Sequence, residues 1–161
     1  MRVNCHFREE QRFRQPWLLA ILILPFIPLV LSRSWGNPPV PDVGFMLSIV
    51  FPGAFLLWFL NLKLVTEVRD DELYVKFEFL WRARRIPLSR IRSAAAVNYN
   101  PLLDYGGWGI RCGRKGMAYN VSGNRGVLLE LDEGRPVLVG SQRAEELARA
   151  VEIRRTLFVV E

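Results

Sequence analysis

The sequence predicts a membrane α-helical hairpin followed by a mainly-β domain that closes with a C-terminal α-helix. Three observations predict it. Residues 43–62, VGFMLSIVFPGAFLLWFLNL, run without a single charge. At about 1.5 Å per residue this stretch matches the roughly 30 Å hydrocarbon core of a bilayer. A second apolar run, PWLLAILILPFIPLVLS, precedes it. After Leu62 the pattern changes from continuous to alternating, the period of half-buried strands.

The totals fit that partition. The chain has 161 residues and a formal net charge of +6. Residues 16–62 carry only Arg33 and Asp42, whereas residues 63–161 carry seventeen Lys/Arg and thirteen Asp/Glu. The second part is long enough for one modest core and too short for two. The sequence pI is near 9.9, but the cations are not gathered into a basic tail or a nucleic-acid motif, which argues against a nucleic-acid partner. Lys/Arg-rich flanks are instead what the cytoplasmic side of a membrane protein carries. Cys5 and Cys112 have neither metal-site nor redox-pair spacing. His6, the single histidine, sits beside Cys5 and reads as an incidental surface residue rather than a metal ligand. No metal or cofactor is expected.

In chain order, residues 1–15 read as a polar leader, MRVNCHFREEQRFRQ. Residues 16–62 read as a two-helix transmembrane hairpin, with spans at 16–35 and 43–62. The first run, Trp17 to Leu31, is only about 22 Å as helix; extension to Trp35 brings it to about 28 Å and places a tryptophan near each interface. Pro25 and Pro28 should kink it. A cleaved signal peptide is the competing reading, although no small-x-small site follows and Arg33 stands where one would be expected. A re-entrant segment is another. Residues 32–42, SRSWGNPPVPD, form a turn-rich connection. Because the flanks outside both runs are far more basic than this loop, both termini should lie in the cytoplasm of a multi-pass protein of the cell inner membrane. For Val43–Leu62 the alternative is a buried core helix; Trp58 and Lys63 fit interface anchors.

Leu62, Leu64, Thr66 and Val68 alternate with polar residues, Asp70–Asp71 turns, and Leu73, Val75, Phe77 and Phe79 alternate again. That is a β-hairpin beginning where the apolar helix ends. Counted outward from the turn, Lys63 should lie opposite roughly Phe79, which would return Leu80, Trp81 and Arg82 to the membrane surface. Arg84 and Arg85 follow, then Arg90 and Arg92. This cluster has two readings: a surface that docks on anionic lipid headgroups, or a solvated positive-inside signal.

IPLSRIRSAAAVNYNP continues as a strand, PLLDYGGWG as a loop, WGIRC as a short strand, and GRKG as a turn carrying Arg114 and Lys115. MAYNVSGNRG is a strand and turn. VLLELDEGRPVLVG is a second hairpin. SQRAEELARAVEIRR should be a helix with Ser141 as N-cap, Glu145 and Glu146 early, and Arg149, Arg154 and Arg155 late, in the order the helix dipole favours. Ala144, Leu147, Ala148 and Val151 form its apolar stripe. The domain thus spans 62–155, leaving the tail 156–161, TLFVVE, unassigned.

Six or seven antiparallel strands closed by one helix is the order of a pleckstrin-homology-like (PH-like) barrel. IPLSRIRS, YGGWGIR, AYNVSGNRGVLLEL and LVGSQRAEELARAV resemble a family of small bacterial membrane proteins with two membrane helices and a cytosolic PH-like domain of the bacterial kind. The resemblance covers roughly residues 60–153. It implies the fold and the topology and little about activity, since members of that family are mostly uncharacterised. The leader and the tail lie outside its pattern.

Two glycine-rich segments are candidate sites. Tyr105, Gly106, Gly107 and Trp108 either shape a ligand pocket or meet backbone demands with the tryptophan in the core. Asn120, Ser122, Asn124 and Arg125 either bind a ligand or satisfy turn backbone. No Gly-Lys-Ser/Thr follows them, which excludes a phosphate loop. The soluble part has no histidine, nucleophile elbow or carboxylate pair, so no catalytic residue is assigned and an enzyme is not expected. The expected function is presentation of the domain to a protein partner or to further copies of the chain. The alternative is binding of anionic headgroups through Leu80, Trp81, Arg82, Arg84 and Arg85, assisted by Arg114 and Lys115.

Overall fold

The computed structural model describes residues 5–13, 15–24, 26–28, 31, 42–80, 82–113 and 115–160. They fall into two compact units, Phe13–Leu62 and the combination of Met1–Arg12 with Lys63–Glu161.

The first unit contains helix α1 (Pro16–Ile23), with proline at its start, and helix α2 (Asp42–Asn61). Among the described residues one helix is long and apolar enough to cross a membrane: Val43–Asn61, with mean hydropathy 2.2 and its most apolar window wholly unburied. Its polar side chains bond to their own helix. Ser48 Oγ donates to Phe45 O at 2.6 Å and Asn61 Nδ2 to Leu57 O at 2.7 Å, as an apolar surrounding demands. Residues 26–28 are also helical. The rest of the expected first span, and the loop at 32–41, lie outside the described residues.

The described residues of the second unit form nine strands in two sheets. The first sheet is ordered β1 (Cys5–Arg12), β2 (Lys63–Arg69), β3 (Glu72–Glu78), β4 (Arg84–Pro87). The second contains β5 (Ile91–Asn98), β6 (Gly109–Gly113), β7 (Gly116–Asn120), β8 (Arg125–Leu131) and β9 (Val137–Gly140), in spatial order β5-β8-β9-β7-β6. Short helix α3 (Pro101–Tyr105) follows β5, and α4 (Ala144–Val160) ends the domain.

The alternation anticipated for the first hairpin holds as far as Phe77, but Phe79, expected on the inward face, is exposed, and Val65, expected on the opposite face, is buried. Leu64, Thr66 and Val68 on β2 and Leu73, Val75 and Phe77 on β3 are all buried. Val127, Leu129, Val137 and Val139 of the second sheet are buried as well, as are Ala144, Leu147, Ala148 and Val151 of α4, the expected stripe. The outer face of the second sheet is covered too, by Tyr105 of α3 against Ala118 and Leu138. This double covering is why all four residues of β9 are buried.

Four expectations need correction. The strands form two open sheets, not a closed antiparallel barrel, because a 3₁₀ turn at Leu88–Arg90 redirects the chain between β4 and β5. The described strands number nine, and β7 pairs with β9 in parallel. Residues 5–12, read as a polar leader, are strand β1, paired antiparallel with β2 from Phe7↔Val68 to Arg12↔Lys63. Finally, the tail continues α4 through Val160. Thr156 Oγ1 donates to Glu152 O, and Glu152 pairs with Arg155 one turn on, which carries the helix past Arg155.

Strand β1 was hard to read because its inward face is half polar. Phe7, Glu9 and Gln11 point inward and are buried. Glu9 accepts from Gln142 N at 2.8 Å, from Ser141 Oγ, and from Gln11 Nε2 at 3.1 Å. Gln11 Nε2 also donates to Gly140 O at 2.8 Å. A carboxyl group therefore holds the turn leading into α4, where free backbone N–H groups favour it. Ser141, expected as the N-cap, lies in that turn, with its Oγ accepting from Arg143 N at 3.0 Å.

Candidate functional site

The β3–β4 turn carries the basic cluster singled out above. Lys63 pairs with Glu78, one residue from the expected register. The strand stops there because Phe79 adopts φ +63, the one described non-glycine residue with positive φ. The left-handed region costs an L-residue roughly 1–2 kcal/mol. The turn nevertheless presents apolar groups to solvent: Phe79 is 70% and Leu80 42% exposed. Trp81 lies outside the described residues.

The arginines divide. Arg84 turns inward, with its Nη1 3.3 Å from Tyr119 OH and 3.1 Å from Met117 Sδ and its guanidinium over the Tyr119 ring. It joins the two sheets. Arg82 is exposed. Arg85 is 67% exposed with only a long 3.9 Å approach to Glu72. The nearby acids are already matched, since Lys63 lies 3.1 Å from Glu78 and 3.4 Å from Glu10, and Arg8 lies 2.6 Å from Glu10. Accordingly, hydrogen bonding to Glu78 raises the Lys63 pKa, and hydrogen bonding to Arg8 lowers that of Glu10. Arg82 is the excess charge at this end of the sheet, whereas Arg85 pairs with Tyr74 and lies nearer the opposite end, beside Glu72. Arg90 is exposed, and Arg92 pairs with Asp132.

The two glycine-rich segments come together, but they face each other. Asn100 caps α3 by accepting from Leu102 N and Leu103 N, both at 3.1 Å, and Asp104 reaches back to Asn100 N at 2.9 Å. Gly106, at φ +74, ends the helix in the left-handed conformation. Gly107 is buried at φ +124. Trp108 is only partly buried, and its Nε1 donates to Gly123 O at 3.3 Å. Fully buried Asn120 accepts from Gly109 N at 2.9 Å and donates to Tyr99 OH at 3.0 Å. Tyr99 and Tyr105 meet edge to face at 5.9 Å. Burial raises the pKa of both phenols.

Ser122 Oγ accepts from Gln142 Nε2, Asn124 O from Tyr99 N, and Arg125 pairs with Glu145 at the start of α4. These polar groups hold turns and α4 in place. Lys115 pairs with Asp104 at 2.8 Å, and this hydrogen bond depresses the Asp104 pKa. Arg114 lies outside the described residues. Among the described residues no cluster of three or more His, Cys, Asp or Glu side chains could hold a metal ion.

A second exposed surface was not singled out in advance. The outward side of α4 displays Ile153 at 62% and Leu157 at 54% exposure. Together with His6, Arg149, Ala150 and Arg154 they line a shallow cleft of about 520 Å³. Arg154 contacts His6 and lies 3.6 Å from Asp70, at the opposite end of β2 from Lys63. The 3- and 4-residue spacing of Ala150, Ile153 and Leu157 was the available signal, lost by ending the helix at Arg155. No family model matches the chain, and no curated protein matches it in sequence.

Proposed function

We propose that this chain is a multi-pass protein of the cell inner membrane, with both termini cytoplasmic, that presents a non-enzymatic PH-like domain to a protein partner or to further copies of itself. The pairing of β1 with β2 is the observation that carries this reading. Two neighbouring strands of one sheet must lie on the same side of a membrane. If α2 spans, parity then requires a second crossing between residues 13 and 41, in the first apolar run. The same pairing weighs against a cleaved signal peptide, because cleavage would take Phe7, Glu9 and Gln11 out of the core. The two sheets closed by α4 are compatible with a PH-like fold and support it at the level of architecture.

The α4 cleft is the surface proposed for protein contact, because Ile153 and Leu157 are exposed beside Arg149 at the domain end away from Lys63. Light scattering in mild detergent tests it. The full chain should run as an assembly, or with a bound protein, that the Ile153→Ser/Leu157→Ser variant loses. Identical masses and identical co-purifying proteins for the two would remove the reading.

A further inference from the structure

We propose that the β3–β4 turn is a membrane-contact site. In it Phe79 and Leu80 enter the interfacial layer of an anionic leaflet, and Arg82 pairs with its phosphates. The proposal rests on the membrane reading above and adds the ligand class and the residues.

Four independent observations converge on it. Phe79 is held outward by a backbone conformation that a phenylalanine does not favour, at 70% exposure. Strain kept at an exposed aromatic points to use. Leu80 extends the apolar tip, and an aromatic with an aliphatic neighbour is what a bilayer interface accepts. The charge is complementary: Glu78 and Glu10 are matched by Lys63 and Arg8, which leaves the exposed Arg82 in excess at this end. The chain also sets the reach. Glu78 pairs with Lys63, and Leu62 alone separates Lys63 from the last residue of α2. Two steps of chain reach at most about 7 Å, so the strand end that carries the turn begins within one residue of the end of the apolar run. Arg84, turned onto Tyr119, takes no part.

The test uses the full chain reconstituted in vesicles containing phosphatidylglycerol. A single environment-sensitive thiol probe is placed by Leu80→Cys, Glu133→Cys or Ser48→Cys on a Cys5→Ser/Cys112→Ser background, and quenching by lipid-borne nitroxide is read. Positions 80 and 48 should be quenched, and position 133, in the β8–β9 turn, should not. Arg82→Ser should lower the docked-to-undocked ratio at position 80 roughly fivefold, the worth of one cation at an anionic leaflet, whereas Arg85→Ser, farther along the sheet beside Glu72, should not. Quenching at 48 with position 80 no different from 133 overturns the contact site and leaves the membrane reading intact. No quenching at 48 overturns the membrane reading itself. Quenching at 80 that is indifferent to Arg82→Ser and to replacement of the anionic lipid overturns the phosphate pairing.

Discussion

Glu9 on the first strand accepts the backbone N–H of Gln142 at the entrance to the last helix, at 2.8 Å, across 133 positions of sequence. The two ends of the domain are thereby tied together, with the apolar segment inserted between β1 and β2. The domain is not a C-terminal appendage. Residues 5–12 complete its first sheet and position its closing helix.

Glu9→Ala should therefore destabilise the domain by about 2–4 kcal/mol, because it leaves the Gln142 N–H and the Ser141 hydroxyl without their carboxylate acceptor and the Gln11 amide with Gly140 O alone. Glu9→Gln, which keeps one acceptor oxygen, should cost less. Thermal unfolding followed by circular dichroism in detergent measures both. A Glu9→Ala change with no effect would contradict the assignment of β1 as part of the core.

Phe79→Gly makes a prediction with the opposite sign. Glycine tolerates φ +63 without a Cβ penalty, so the variant should be as stable as the parent or up to about 1 kcal/mol more stable. It should nonetheless dock less well on anionic vesicles. If the same variant both unfolds earlier and docks normally, the turn is a packing element and not a contact surface.

The pH dependence of stability has two signed contributions. Asp104 has its pKa depressed by Lys115. It adds stability above the ordinary aspartate value of 3.8, and this is lost as the pH falls through its lower folded value. Tyr99 has its pKa raised by burial from 10.0. Its contribution is complete below that value and is lost as the pH rises toward the folded one. Lys115→Met should remove part of the acid-side dependence, and Tyr99→Phe part of the alkaline-side dependence, as read by chemical denaturation across pH.

What was legible in the sequence was what alternates or runs unbroken. The apolar length of 43–62, the inward faces of β2 and β3, the β8–β9 hairpin and the stripe on α4 all follow from side-chain period alone. The register of Lys63 came within one residue. Strand β1 was not legible because Glu9 and Gln11 occupy inward positions that a period count expects to be apolar; their reason lies at Ser141 and Gln142, far along the chain. The basic cluster read as one unit, yet Arg84 and Arg85 are neighbours on a strand and point to opposite faces, one onto Tyr119 and the other outward. The two glycine-rich motifs were read separately; that Trp108 reaches Gly123 was not anticipated, nor that Trp108 remains only partly buried.

The central claim is that both described ends of the domain share one side of a membrane crossed twice between them. The two native cysteines, Cys5 on β1 and Cys112 on β6, are exposed and free, so they report on this directly. In intact cells a membrane-impermeant maleimide should label neither until the membrane is opened. With both changed to serine, a Gly36→Cys chain should be labelled from outside at once. Labelling of Cys5 and Cys112 from opposite sides, or of both from outside, or no outside labelling at position 36, would contradict the account.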